Sequence, residues 1–270
     1  MSHADRWRIG PGVRPDLVAI DPAGTEGAPG DRAATEEETS ALAERLADLQ
    51  GRLWAEGGRS LLVVLQAMDA GGKDGTVKRV FRAMNPMGIE ATAFKAPNDA
   101  ELAHDFLWRI HGALPERGKV GILNRSHYED VLVVRVEELV PESVWRPRYE
   151  AIRCFEEMLV AEGTTVVKLF LHISKEEQAE RFRARLADPA KNWKFSVGDL
   201  DVRARWDDYR AAYTDAMEET STAGAPWFVV PADRKWYRNW VVSRILVDAL
   251  EAMDPRYPAP AEDLDRIVID

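Results

Sequence analysis

The sequence predicts an α/β chain in which a parallel sheet of five strands is sandwiched between helices, and three observations predict it. Five short apolar runs recur along the 270 residues, helix-like stretches separate them, and a 46% hydrophobic content is ample for one large core. Parallel strands need crossover connections, which the alternation supplies. One domain with extensions is expected, with its active site at the carboxyl ends of the strands.

Each element has its own signal. Residues 10–34 are rich in Gly and Pro and lack periodicity, so residues 1–34 read as an extended N-terminal arm. Thr35-Glu36-Glu37-Glu38 resembles a capping box, and Leu42, Leu46, Leu49 and Leu53 then recur at helical spacing to about residue 56. The first strand is 60–66. A helix at 73–85, a β-rich run at 89–95, a helix at 99–112 and an apolar strand at 119–124 follow. Helical stretches at 127–138 and 143–162 lead to a strand at 164–173 and a helix opening at Ser174. A helix at 201–220, a strand at 227–230 and a helix at 235–253 complete a domain spanning 35–255, with 256–270 as a C-terminal tail.

A net charge of −10 argues against general nucleic-acid or anionic-membrane binding, so any polyanion must meet a local basic pocket. The single Cys154 excludes internal disulfides and cysteine metal sites and fits a reducing cytoplasm. No apolar stretch approaches membrane-spanning length, and the opening residues lack a secretory apolar region. A soluble cytoplasmic protein is expected.

Residues 61–76 join an apolar run to a glycine-bracketed lysine and a helix-like stretch, which is how a chain builds a phosphate cradle. Against the pattern G-x-x-x-x-G-K-[ST], Ala67 replaces the first glycine and Asp74 the hydroxyl residue. Asp69 and Asp74 flank Lys73, and a carboxylate beside a phosphate makes sense when a divalent cation, Mg²⁺, bridges them. A helix-start acid is the competing reading for Asp74. A second cluster, Asn124-Arg125-Ser126-His127-Tyr128-Glu129-Asp130, emerges from the third apolar run, and Arg125 has the planar fork that clamps phosphate oxygens. Ser126 reads better as a helix cap.

A third cluster is the most cationic stretch of an acidic chain. Residues 188–199, with Lys191 and Lys194, followed by Arg203 and Arg205 and preceded by Arg181, Arg183 and Arg185, suggest a lid that closes over anions. A solvated helix face with Glu176, Glu177 and Glu180 explains Arg181 to Arg185 equally well. Arg79 and Lys95 are placed to reach a second, acceptor-side phosphate, and residues 231–235 to let a base or phosphate tail pass. The Trp residues at 108, 145, 206, 236 and 240 read as core or subunit contacts.

Taken together, Met68 to Thr76, Phe94-Lys95-Ala96-Pro97, Asn124 to Asp130, Lys191 to Ser196, and Ala225-Pro226-Trp227 running into Pro231-Ala232-Asp233 resemble the polyphosphate kinase 2 family. The resemblance covers roughly residues 35–255. It implies a three-layer α/β/α P-loop kinase fold with a central five-stranded parallel sheet and a helical lid at about 187–203. It also implies transfer of phosphoryl groups from inorganic polyphosphate to nucleotides, reversibly and with Mg²⁺. Under it Asp69 holds Mg²⁺, Lys73 binds the transferred phosphoryl, and Arg125 contacts phosphates. Ala70, Gly71, Gly72, Asp74, Gly75, Thr76, Arg79, Lys95, Lys191, Lys194 and Arg203 complete the phosphate-binding set. Other members often carry Asp where Asn124 stands. The run His127-Tyr128-Glu129-Asp130 resembles the subgroup that accepts AMP and ADP, which makes Asn124 and Glu129 candidate acceptor determinants and further metal ligands.

The expected partners are polyphosphate, AMP, ADP and ATP, with guanine nucleotides also open, no nucleic acid and no membrane, in a homo-oligomeric dimer or tetramer. Two rivals stand beside it: an ATP-dependent nucleotide kinase of the thymidylate-kinase-like type, which differs in donor only and for which, were the acceptor a hydroxyl, Glu129 or Asp130 could serve as base, and, from another class, a non-catalytic polyphosphate or nucleotide sensor.

Overall fold

The computed structural model describes residues 3–260 and 269. Its sheet has six strands: β1 (Arg8–Ile9), β2 (Ser60–Gln66), β3 (Ile89–Ala93), β4 (Val120–Asn124), β5 (Thr164–His172) and β6 (Trp227–Pro231), in the order β1-β6-β5-β2-β4-β3. The five expected strands are all present and parallel. The sixth, β1, corrects the count: it pairs antiparallel with β6 through Arg8–Phe228 and Ile9–Trp227. Two residues are too few to display any hydrophobic alternation, which is why β1 leaves no trace in the sequence pattern.

The central strands β2, β5 and β6 carry long buried apolar runs, as strands covered on both faces require. One layer contains α1 (Arg32–Glu56), α2 (Lys73–Val80) and α11 (Lys235–Met253); the other contains α5 (Glu129–Val136), α7 (Arg148–Ala161) and α10 (Trp206–Thr220). The first helix begins earlier than its expected capping box, because Asp31 is the N-cap, accepting from the Ala34 N–H at 3.0 Å, while Thr35 turns its hydroxyl back onto the Asp31 carbonyl. Gly57, at φ 65°, ends it.

Three expected helices are interrupted. The 99–112 stretch divides into α3 (Asp99–Leu102) and α4 (Trp108–His111), and 143–162 into α6 (Glu142–Trp145) and α7, with Pro147 between them. The 201–220 stretch divides at Arg205 into α9 (Gly198–Ala204) and α10, and the expected lid leaves the end of α8 (Lys175–Ala187) and runs through a short 3₁₀ turn at Asn192–Lys194 into α9. No helix among the described residues is long and apolar enough to cross a membrane. Of the tail, Ile269 is described and exposed; Ile267 lies outside the described residues.

Register places the site. Leu65 pairs with Asn124, Asn124 with Ala93, Gln66 with Phe170 and His172 with Pro231, so the carboxyl ends of the parallel strands share one rim. The chain runs from β2 to one side of the sheet through β3 and β4, then crosses to the other through β5 and β6. The loop after β2 therefore opens at the switch point where ligands of such sheets bind.

The arm of residues 3–31 is strapped along the β6 side. Leu17 is buried, Arg14 bridges to Asp215 and Glu218 on α10, and His172 Nε2 lies 3.2 Å from the Ile20 carbonyl. The Asp233 N–H donates to the Pro22 carbonyl, Arg234 to that of Ala23 and Tyr237 to that of Glu26, which ties the arm to the turn between β6 and α11.

Candidate active site

The phosphate loop owes its shape to glycine at two positions. A Cβ on Gly71 would meet the Met68 carbonyl at 2.8 Å and overlap the Ala67 methyl, and Gly72 sits at φ 100° where a side chain would strike Arg238. Ala70 takes a left-handed φ of 59° without being glycine. The loop's outer carbonyls are tied down: Gln178 donates to Asp69 and Arg181 to Ala70, both at 2.9 Å. The first N–H groups of α2 have no partner within the helix and suit an anion.

Lys73 lies at the base of this loop, donating to the Ala67 carbonyl at 2.9 Å. Burial, reinforced by the Arg125 guanidinium, pulls its ammonium below the ordinary lysine range. Arg125 leaves the end of β4 with φ 63°, its N–H bonded to the Leu65 carbonyl. Its Nη2 donates to Asp69 Oδ1 at 3.1 Å, and its Nη1 is 4.0 Å from Glu129 Oε2. Burial opposes the Arg125 charge, but Glu129 and Asp69 outweigh it and hold the group more firmly protonated than usual.

Asp74 is gripped from two sides, by Lys194 Nζ at 2.9 Å and Asn124 Nδ2 at 2.8 Å. The Lys194 bond, supported by Asn124, lowers its carboxyl below the usual range. It is thus more than a helix-start acid. Ser126 is not the helix cap its sequence context suggests, because Tyr128 is the N-cap of α5; its hydroxyl instead closes the preceding turn, accepting from the Tyr128 N–H and the Gln66 amide.

These groups surround an open cavity of about 650 Å³. Its wall carries Lys73, Lys95, Arg125, Arg181, Arg185, Lys191, Lys194 and Lys235 against Asp69, Asp74 and Asp199, a basic pocket in an acidic chain. Of the expected site residues, Asp69, Ala70, Gly71, Gly72, Asp74, Gly75 and Asn124 also line it. Four do not. Thr76 is buried and bonds the Gly72 carbonyl, Arg79 is exposed on α2, Glu129 stands behind Arg125, and Arg203 turns onto the Lys175 carbonyl and Gln178.

Arg181 is 9% exposed and reaches the Ala70 and Ala232 carbonyls, so the solvated-face reading does not hold for it. Arg183 is exposed, as that reading expects. Of the five tryptophans, 145, 206 and 240 are core residues, whereas Trp108 is 47% exposed.

A family model described as polyphosphate kinase 2 matches residues 30–258. The chain belongs to the polyphosphate kinase 2 family. A family relative from Meiothermus ruber, named AMP/ADP-polyphosphate phosphotransferase, is 52% identical over 265 residues, covering 98% of this chain and 99% of its own. An ADP-polyphosphate phosphotransferase of Rhodopseudomonas palustris is 47% identical over 80% of this chain and 78% of its own. The crystal structure of polyphosphate kinase 2 from Arthrobacter aurescens TC1 superposes with a TM-score of 0.93 at 48% identity, over 97% of this chain and 94% of that one. The polyphosphate kinase 2 fold is thus present over nearly the whole length.

Behind Arg125 lies a buried polar cluster that the sequence patterns do not reveal. Lys168, in the middle of β5, donates to Glu156 Oε2 at 2.5 Å, to the Thr220 carbonyl at 2.7 Å and to the Tyr128 hydroxyl at 3.1 Å. His127 Nε2 is 3.3 Å from Glu156. The one available signal was a lysine inside an otherwise apolar strand run.

Proposed function

We propose that this chain transfers the terminal phosphoryl of inorganic polyphosphate to AMP and ADP, giving ADP and ATP, reversibly and with Mg²⁺. The observation that carries the reading is the convergence of Lys73, Arg125, Lys194 and Lys95 on one open cavity at the mouth of the phosphate loop. The names of the relatives from Meiothermus ruber and Rhodopseudomonas palustris support the donor and the acceptors.

The acceptor oxygen of a nucleotide phosphate is already ionised at neutral pH, so the chain needs no general base. Its task is to hold two polyanions in line. Lys73 and the opening N–H groups of α2 grip the transferred phosphoryl, Arg125 spans donor and acceptor oxygens, and Lys194 closes the lid side. Two phosphates a few ångströms apart repel by several kcal/mol at an intermediate dielectric, which these cations offset.

The donor set fits magnesium. No group of three His, Cys, Asp or Glu side chains gathers among the described residues, as suits an ion that takes one or two carboxylates and fills its sphere with phosphate and water. Asp69 accepts from Arg125 through Oδ1 only, so Oδ2 is available, and Glu129 and Asn124 stand nearby. Bound there, Mg²⁺ would neutralise charge on the transferring phosphates.

A phosphorus NMR time course with purified protein, Mg²⁺, long-chain polyphosphate and AMP tests the reading. ADP and then ATP are expected; product from ATP with polyphosphate absent would favour the ATP-dependent kinase, and binding without turnover the sensor.

A further inference from the structure

Beneath the phosphate loop lies a cation that the proposed chemistry does not use. Arg238, on the first turns of α11, is 3% exposed. Its Nε and Nη2 share the neutral Asn239 Oδ1, at 3.2 and 2.8 Å, and no carboxylate lies within ion-pair distance of it among the described residues. The guanidinium lies along the start of α2: a methyl on Gly72 would collide with it, and one on Gly75 would stand 3.5 Å from Nη2.

Another cation lies beside it, since Arg181 Nη1 is 3.4 Å from the same notional Gly72 methyl. Arg181 is compensated by Glu177, at 2.7 Å, and by the Ala70 and Ala232 carbonyls. Arg238 has no such partner. Burial, with Arg181 beside it, pushes its pKa down to about 10, which leaves it charged at neutral pH.

A buried charge without a counter-charge is costly, and the positive end of a helix beside it raises the cost. A chain that keeps one there must recover that cost in another state, and the loop that Arg238 touches is where phosphates bind. Resting on the polyphosphate reading above, we infer that Arg238 is a positioning residue of the phosphate loop. Its charge is left unbalanced in the empty chain and is balanced when polyphosphate fills the loop, so stability of the empty chain is exchanged for affinity. It acts through the backbone at Gly72 and Gly75 and through space.

The test compares the unaltered chain with Arg238→Met and Arg238→Lys by thermal melting and by calorimetric titration with tripolyphosphate. Arg238→Met is expected to melt, when empty, at or above the unaltered chain and to bind tripolyphosphate about tenfold more weakly. Arg238→Lys, keeping the charge, is expected to bind within about threefold of the unaltered chain. An empty Arg238→Met that melts well below the unaltered chain or does not fold would make the residue a structural support and overturn the inference. So would unchanged affinity in that variant, or equal weakening in Met and Lys. Failure of the unaltered chain to bind tripolyphosphate would overturn the polyphosphate reading along with it.

Discussion

Lys194 reaches from the lid to Asp74 on the phosphate-loop helix, Nζ to Oδ2 at 2.9 Å, across 120 residues of sequence. Asn124 holds the other Asp74 oxygen, so one carboxylate ties lid, loop and strand end together. The pair is substantially exposed, and such pairs contribute about 0–1 kcal/mol. Lys194→Ala is therefore expected to leave the melting temperature almost unchanged while lowering kcat/KM for polyphosphate by about tenfold or more, because a phosphate contact is lost. Equal loss of stability and activity would contradict this.

Lys73 and Asp69 should behave differently from the lid. Lys73→Ala removes the cation at the floor of the cavity, and Asp69→Asn removes a carboxylate that pairs with Arg125 and fits a metal. Each is expected to cut turnover by at least about a thousandfold with the fold retained, since the transition-state charge loses its main partners. Steady-state rates near normal in either variant would remove the mechanism.

Much of this site was legible in the chain because its parts are local. A buried strand, two glycines and a lysine must lie together when only a few residues separate them, and Asn124 and Arg125 follow directly from a strand end. The direction Arg203 takes, onto Lys175 and Gln178, was not legible, because it depends on how α9 packs on α8, which no local pattern records. Arg181 stayed ambiguous for the same reason. Arg238 escaped notice, although an arginine sharing a helix face with Val241, Val242 and Ile245, all buried, is a readable signal. In the fold, the five parallel strands were readable from their apolar runs, whereas β1 depends wholly on pairing with β6.

The lowered lysine at position 73 gives a pH dependence of defined sign. Its proton is held less tightly in the native chain than in the unfolded one, so the unfolded state binds more protons between the lowered native value and the ordinary 10.5. Stability from this group therefore rises with pH across that interval. Phosphate capture moves the opposite way, and the alkaline limb of kcat/KM for polyphosphate is expected to fall below pH 10.5. A limb at or above that value in a pH–rate profile would contradict it.

The buried Lys168–Glu156 pair is expected to matter most when broken from one side. Both side chains are fully enclosed, and Lys168→Met leaves Glu156 with His127 and the Tyr128 hydroxyl alone. A loss of about 3–5 kcal/mol in urea unfolding is expected, and replacing both, with Glu156→Leu added, should recover most of it. A double variant no more stable than the single one would contradict this account.

The strap of residues 3–31 carries a consequence for biosynthesis. Its strand has no partner until β6, more than two hundred residues later, leaves the ribosome, and the turn bearing Lys235 and Arg238 emerges at the same late stage. Pairings of such sequence separation form slowly. A nascent chain truncated before that point would display the glycine-rich loop with neither its far wall nor its buried guanidinium, so competence to seize polyphosphate arrives in one step, once β6 and the first turns of α11 have been made.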